Sequence, residues 1–252
     1  MIDQANILDA IRAAEVLGAR DVFPKPGRIL ELGGSDGFQA RILADGGWNV
    51  ASIDVANRPK RATAHFPVQD YDGHRIPFED ESFDGVFSSN VLEHIPHLAE
   101  ILAETRRVLR PGAVAVHLLP SPAWRFWTIV SHYPYLVNRL ATKLFSANDA
   151  HAPASAPAAE ASSSRSIFLR AAGLVPHGEY PNAVAELYYF SRSRWVREFR
   201  GSGFDVVSCT SGNVFYTGHL LLPSLDVALR RKLASVLGSA CHVFVLRKAQ
   251  GA

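Results

Sequence analysis

The chain has 252 residues, 48% of them apolar, enough to bury one large α/β core. Its 26 basic and 24 acidic residues leave a formal net charge of +2, so no charge excess argues for a nucleic-acid or acidic partner. Cys209 and Cys241, the two cysteines, stand in no CxxC or Cys/His ligand spacing, which favours a reducing compartment and gives no reason to expect a metal.

Residues 1–6 lack the basic-then-apolar pattern of a signal peptide, and no uncharged apolar run approaches roughly 18–20 residues, so a soluble cytoplasmic protein is expected. Residues 6–20 should form a helix opened by Asn6, with Ile7, Leu8, Ile11 and Leu17 on one side, until Pro24, Pro26 and Gly27 end it. A strand over 28–32 then runs into the turn Gly33-Gly34-Ser35-Asp36-Gly37, a helix over 38–44 leaves it, and a second strand over 48–54 ends at Asp54. Such a turn brings backbone N–H groups close to a ligand, and a carboxylate ending the next strand accepts two ribose hydroxyl hydrogen bonds. That is an adenosine-cofactor pattern, open at this point between nicotinamide and other nucleosides. Further strands are expected over 65–69, 83–88 and 113–119, with a helix over 98–109 stopped by Arg110-Pro111-Gly112.

After Pro120 the rhythm breaks. Residues 121–190 carry an aromatic segment (Trp124, Phe126, Trp127, Tyr133, Tyr135), an Ala/Pro/Ser-rich tract over 151–164 that reads as a flexible loop, and a second apolar segment. The alternation resumes with a helix over 192–200, a strand over 204–209, a helix near 224–237 and a strand over 241–247. The expectation is therefore one domain over 1–252. Its fold class is α/β, with a doubly wound, Rossmann-like, seven-stranded sheet and a mostly helical insertion over 121–190. That insertion is expected to serve as a lid or substrate region. The stretch 124–145 has three readings: a peripheral membrane contact, a lid over an apolar or sugar-like acceptor, or helices that simply pack the insertion onto the sheet.

Four blocks now stand in order: Arg28–Gly37, Ile76–Asp84, Ser88–Ile95 and Glu104–Gly112. Together they resemble the class I S-adenosylmethionine-dependent methyltransferases, in the small-molecule, methyltransferase type 11-like group. The resemblance is good over 28–120, holds in outline over 192–247, where it implies an antiparallel last strand, and does not extend securely over 121–190. It implies S-adenosylmethionine as cofactor, with Glu31, Gly33, Gly34, Ser35 and Gly37 around the methionine part. It further implies Asp54 on the ribose and Val55 against the adenine. Asp70 would take the adenine amino group, with Asp72 the alternative match, Tyr71 would lie beside the ring, and Asn90 would face the cofactor. Ser35 replaces a glycine common at its place and is tolerated there if its φ is negative.

Methyl transfer from a sulfonium is an in-line displacement, so the protein has to align the acceptor and remove its proton. Among ten histidines, His94, just after the fourth strand, and His177, in a polar turn with Glu179, Tyr180 and Asn182, are the candidate bases, with Glu179 orienting base or acceptor. His117, inside a strand, reads instead as a hydrogen-bonded core residue. A small-molecule hydroxyl acceptor is favoured, of sugar, polysaccharide-precursor or secondary-metabolite type. The rival readings are an RNA or protein methyltransferase, a catalytically silent cofactor-binding scaffold, and a dehydrogenase.

Overall fold

The strand Arg28–Leu32 (β1) is buried along nearly its whole length, as an inner parallel strand covered on both faces requires. The computed structural model describes residues 4–56, 64–146, 174–219 and 224–249. β1 sits mid-sheet with β2 (Asn49–Val55), β3 (Gln69–Tyr71), β4 (Phe83–Ser89), β5 (Leu109–Pro120), β6 (Phe204–Ser211) and β7 (Cys241–Lys248), in the order β3-β2-β1-β4-β5-β7-β6. The first five strands run parallel, and β7 pairs antiparallel with both β5 and β6. This is the doubly wound, Rossmann-like sheet with an antiparallel last strand. The chain steps outward from β1 to β3 and then returns to β4 on the other side of β1, which opens a crevice at the carboxyl ends of β1 and β4.

The described helices are α1 (Gln4–Ala19), α2 (Phe38–Asp45), α3 (Leu98–Val108), α4 (Pro122–Ser146), α5 (Ala183–Tyr189), α6 (Arg192–Gly201) and α7 (Val227–Leu237), with short 3-10 turns at Arg20–Val22 and Leu92–His94. Val16 and Ala19 of α1 and Leu43 of α2 pack on one face of the sheet with Ile29, Phe87 and Val116. Leu98, Ile101 and Leu102 of α3, with Trp195 and Phe199 of α6, pack on the other with Leu30, Val86 and Ala115. The α3 stripe at 98, 101, 102, 105 and 108 is fully on the sheet side, the i, i+3, i+4, i+7 spacing of an amphipathic helix. Each such buried aliphatic side chain contributes roughly 1.5–3 kcal/mol, several times what an exposed helix ion pair such as Arg41–Asp45 adds. Packing, not surface charge, fixes these helices.

A third cluster joins the insertion to the N-terminal helix: Ile7 and Ile11 of α1 pack with Trp124 of α4, Phe190, Val214 and Tyr216. This contact lays the first half of α1 across the crevice. After the fifth strand the described residues form α4, with Pro134 inside it, a non-helical loop over 174–182, and α5; the tract 151–164 lies outside the described residues. Among the described residues, no helix is long and apolar enough to cross a membrane.

The third strand is shifted from the expected 65–69 to Gln69–Tyr71. Pro67 cannot donate to a ladder, and the His65 N–H is already bonded to the Asp36 carbonyl at 2.8 Å, so pairing with β2 starts only at Ile53↔Gln69. The first helix begins at Gln4, before Asn6. The helix near 224–237 begins at Val227, where the Asp226 carboxylate caps it by accepting the Leu229 N–H at 2.7 Å.

Candidate cofactor and acceptor site

Beyond Leu32 the chain turns sharply, and the N–H groups of Gly33 and Gly34 both donate to the Ile53 carbonyl, at 2.8 and 3.1 Å. Close approach explains the glycines. A Cβ on Gly34 would lie 1.9 Å from Ser52 Oγ, and one on Gly33, at φ 78°, would enter the Val91 side chain. Gly37, at φ 79°, faces Phe66 rather than the crevice. Ser35 departs from expectation: its φ is +53°, not negative. A left-handed non-glycine residue costs roughly 1–2 kcal/mol, and here the Ser35 N–H donates to Asp54 Oδ2 at 2.7 Å, a charge-assisted bond of the size that offsets it.

The turn opens onto a cavity of about 590 Å³, within the usual range for small-ligand sites. Gly33, Gly34, Ser35, Asp54, Val55, Tyr71 and Asn90 line it, all at the carboxyl ends of β1 to β4. Asp54 accepts one N–H on each oxygen, from Ser35 and from Val55, which leaves a lone pair on each for further donors. Glu31 lies beneath the turn, 2% exposed, where its carboxylate accepts the Ser52 hydroxyl at 2.6 Å. Burial, with Asp54 and Asp36 adding repulsion against the Ser52 bond, pushes Glu31 up to about 8. Asp70 is exposed on β3 and Asp72 spends its carboxylate on the N–H groups of His74 and Arg75; neither is on the cavity wall. These residues fit an adenosine cofactor: backbone at the turn, a carboxylate with spare acceptor sites at the end of β2, and the Val55 side chain and Tyr71 ring at the ends of β2 and β3.

Sequence reasoning missed Leu8, Asp9 and Arg12, which line the same cavity from α1. Their signal was slight, because an Asp and an Arg three residues apart on a helix look like solvated charge. Arg12 donates to Glu15 at 2.9 Å, and Glu15 in turn accepts the Tyr216 hydroxyl at 3.1 Å.

At the far end stands His94, in the short turn Leu92–His94 after β4. Its ring meets that of His177 at 4.7 Å between centroids, and His177 meets Trp124 at the same separation. Two candidate bases 83 positions apart thus share one corner. Burial lowers the pKa of His94, against Glu179, and takes His177 to about 4, with His94, Arg125 and Arg12 acting the same way. Glu179 is not on the wall of this cavity; its N–H donates to the Glu93 carbonyl at 3.0 Å. Glu93 itself is 1% exposed, neither carboxylate oxygen has a hydrogen-bond partner among the described residues, and burial pushes it up to about 8. His117 is fully buried, bonded to Ser88 at 2.8 Å and stacked on Phe199, a core residue as expected.

The corner is held by a pair that the sequence did not mark. Glu186 of α5 accepts the N–H groups of His177 and Gly178 at 2.6 and 2.7 Å, and its other oxygen lies 2.8 Å from Arg125 Nε, a charge contact outside hydrogen-bond alignment. Arg125 also donates to the Val175 carbonyl. Burial shifts both partners toward neutrality, Arg125 down and Glu186 up, against their mutual attraction.

Residues 30–117 match the family model for a methyltransferase domain. An uncharacterized 37.1 kDa protein in transposon TN4556 of Streptomyces fradiae is 33% identical over 154 residues, covering 56% of this chain and 44% of that protein. The 2-methyl-6-phytyl-1,4-hydroquinone methyltransferase of a Synechocystis species is 33% identical over 119 residues, 43% of this chain and 37% of its own length. The chain thus spans less than half the length of these curated relatives. In fold it is similar to the 1,6-didemethyltoxoflavin-N1-methyltransferase of Burkholderia thailandensis, solved with S-adenosylhomocysteine bound. The TM-score is 0.54 at 13% identity, over 96% of this chain and 80% of that one. The fold is similar to that of solved S-adenosylmethionine-dependent methyltransferases. Within it, residues 30–117 are the part that matches the methyltransferase-domain model.

Proposed function

We propose that this chain transfers a methyl group from S-adenosylmethionine to a hydroxyl of a small molecule, of sugar, polysaccharide-precursor or secondary-metabolite type. One observation carries the reading: Asp54 and His94 line the same cavity, so a nucleoside-binding end and a histidine end share one space of about 590 Å³. When bound, S-adenosylmethionine supplies an electrophilic methyl group on a sulfonium that leaves as a neutral thioether. In this reading Gly33, Gly34 and Ser35 hold the methionine part, with Glu31 buried beneath and Gly37 shaping the turn. Asp54 takes the ribose hydroxyls on its two free lone pairs, Val55 and Tyr71 enclose the adenine, Asp70 reaches the adenine amino group from the rim, and Asn90 faces the donor from β4. His94 and His177 mark the end where an acceptor hydroxyl is aligned and loses its proton, and Glu179 fastens the loop that carries His177. The hydroquinone named for the Synechocystis relative supports a small organic molecule as acceptor. Calorimetric titration tests the donor half: S-adenosylhomocysteine should bind, and Asp54→Ala should weaken it roughly tenfold or more by removing charge-assisted hydrogen bonds. Binding of a nicotinamide dinucleotide in its place would sink the reading.

A further inference from the structure

Glu93 poses a physical problem. A buried carboxylate with no hydrogen-bond partner on either oxygen is costly, and native structures meet that cost with a proton, a counter-charge or a metal ion. Arg12, the cation whose charge reaches Glu93, is hydrogen-bonded to Glu15 instead. What Glu93 does face is two imidazoles. Its Oε1 lies 3.8 Å from His94 Nε2, and the donor atoms of Glu93, His94 and His177 all lie within 4.8 Å of one another.

The backbone around this trio is fixed tightly. The Glu179 N–H donates to the Glu93 carbonyl, and a Cβ on Gly178 would come within 2.4 Å of that same carbonyl oxygen, so a glycine is needed for the loop to dock. Glu186 holds the N–H groups of His177 and Gly178, and Asn182 caps α5 behind them by accepting from Val184 and Ala185. These bonds fix the backbone that carries His177 beside Glu93. An ion about 2.1 Å from each donor requires donor separations of roughly 3.4 Å, shorter than the 3.8 Å between Glu93 Oε1 and His94 Nε2, so binding draws the donors closer together.

We propose that Glu93, His94 and His177 bind a divalent first-row cation of the Zn²⁺, Mn²⁺ or Co²⁺ type beside the end of the cavity that His94 lines. Two imidazoles and one carboxylate suit that class and leave at least one coordination position open. What the ion does there rests on the methyl-transfer reading: it holds and polarises the acceptor hydroxyl. The O–H bond breaks and its proton passes to solvent, the O–CH₃ bond forms, and the S–CH₃ bond breaks to give a methyl ether and S-adenosylhomocysteine. A surface trio, His74, His97 and Glu100, also brings donors together, but His97 Nε2 is bonded to the Gly73 carbonyl at 2.7 Å and the group has no buried carboxylate lacking a partner.

The test is Co²⁺ titration of the chelator-stripped full chain, read by d–d absorption and by calorimetry, with S-adenosylhomocysteine titrated in parallel. The wild type should bind one ion tightly enough to resist gel filtration. His177→Ala and Glu93→Gln should each weaken it roughly 10- to 100-fold or more, while His97→Ala leaves it unchanged. If Glu93→Gln does not fold, His177→Ala, on an exposed loop, decides alone, its fold checked by unchanged S-adenosylhomocysteine affinity. Absence of Co²⁺ binding in the wild type, indifference to His177→Ala, or loss with His97→Ala overturns the proposal. S-adenosylhomocysteine binding without a Co²⁺ site defeats the cation alone; a Co²⁺ site without S-adenosylhomocysteine binding defeats the methyl-transfer reading alone.

Discussion

The proposed donor end of the cavity is made of backbone and one carboxylate, drawn from residues 33–36 and 54–55, whereas the proposed acceptor end has His94 on the cavity wall, backed by side chains from residues 93, 124–125, 177 and 186 that stand behind that wall. The first depends on how closely two strands and a turn approach, and its parts lie within about one βαβ unit. The second depends on a loop held by a buried ion pair between two helices of the insertion. A nucleoside site built on strand ends can stay constant while an acceptor site built on inserted helices varies, because different elements carry the two.

The strongest way to break this division is Arg125→Met, which leaves Glu186 buried without its counter-charge. Losing one partner of such a pair costs about 3–5 kcal/mol. Hydrogen exchange should rise over residues 174–190 while S-adenosylhomocysteine affinity stays within about twofold of wild type; an equal loss at both ends would show that they are not independent. The reciprocal change, Gly34→Val, drives a side chain into Ser52 and Glu31. Overpacking there should cost roughly 2–3 kcal/mol, read as a fall of about 100-fold in S-adenosylhomocysteine affinity with Co²⁺ binding retained.

A smaller and pH-dependent effect isolates the floor of the donor end. Glu31 titrates near 8 in the fold against 4.5 for the ordinary carboxyl, so the fold holds it protonated. The stability this gives is complete below pH 4.5 and is lost as pH rises through 8. Glu31→Gln, which keeps a neutral partner for Ser52, should match the wild type in denaturant midpoint at pH 4 and exceed it progressively up to pH 8, by on the order of 4 kcal/mol at most. Parallel curves across that range would mean that Glu31 stays ionised under the turn.

Much of the donor end could be read in the sequence because its residues are consecutive. Gly33, Gly34 and Gly37 stand at positions where the chain reverses, and Asp54 ends the next apolar run, so spacing alone carries the geometry. Ser35 shows where that reading stops: whether a serine can hold φ +53° depends on a carboxylate 19 positions away. The third strand moved for a similar reason, since Pro67 and the His65–Asp36 bond are tertiary constraints on a segment whose local pattern was acceptable. At the acceptor end His94 and His177 could be named from their neighbourhoods, but no local pattern marks Glu93, Arg125 or Glu186, whose burial depends on segments distant in sequence.

By itself the sequence determined the sheet, its alternation with helices and the cofactor turn, because apolar period, glycine and strand-end carboxylate act over a few residues. Only the tertiary structure decided which charges are buried, that α1 closes the cavity with Leu8 and Arg12, and that Glu93, His94 and His177 face one another. Burial and side-chain convergence are properties of segments brought together after folding, and no local pattern encodes the distance between residue 93 and residue 177.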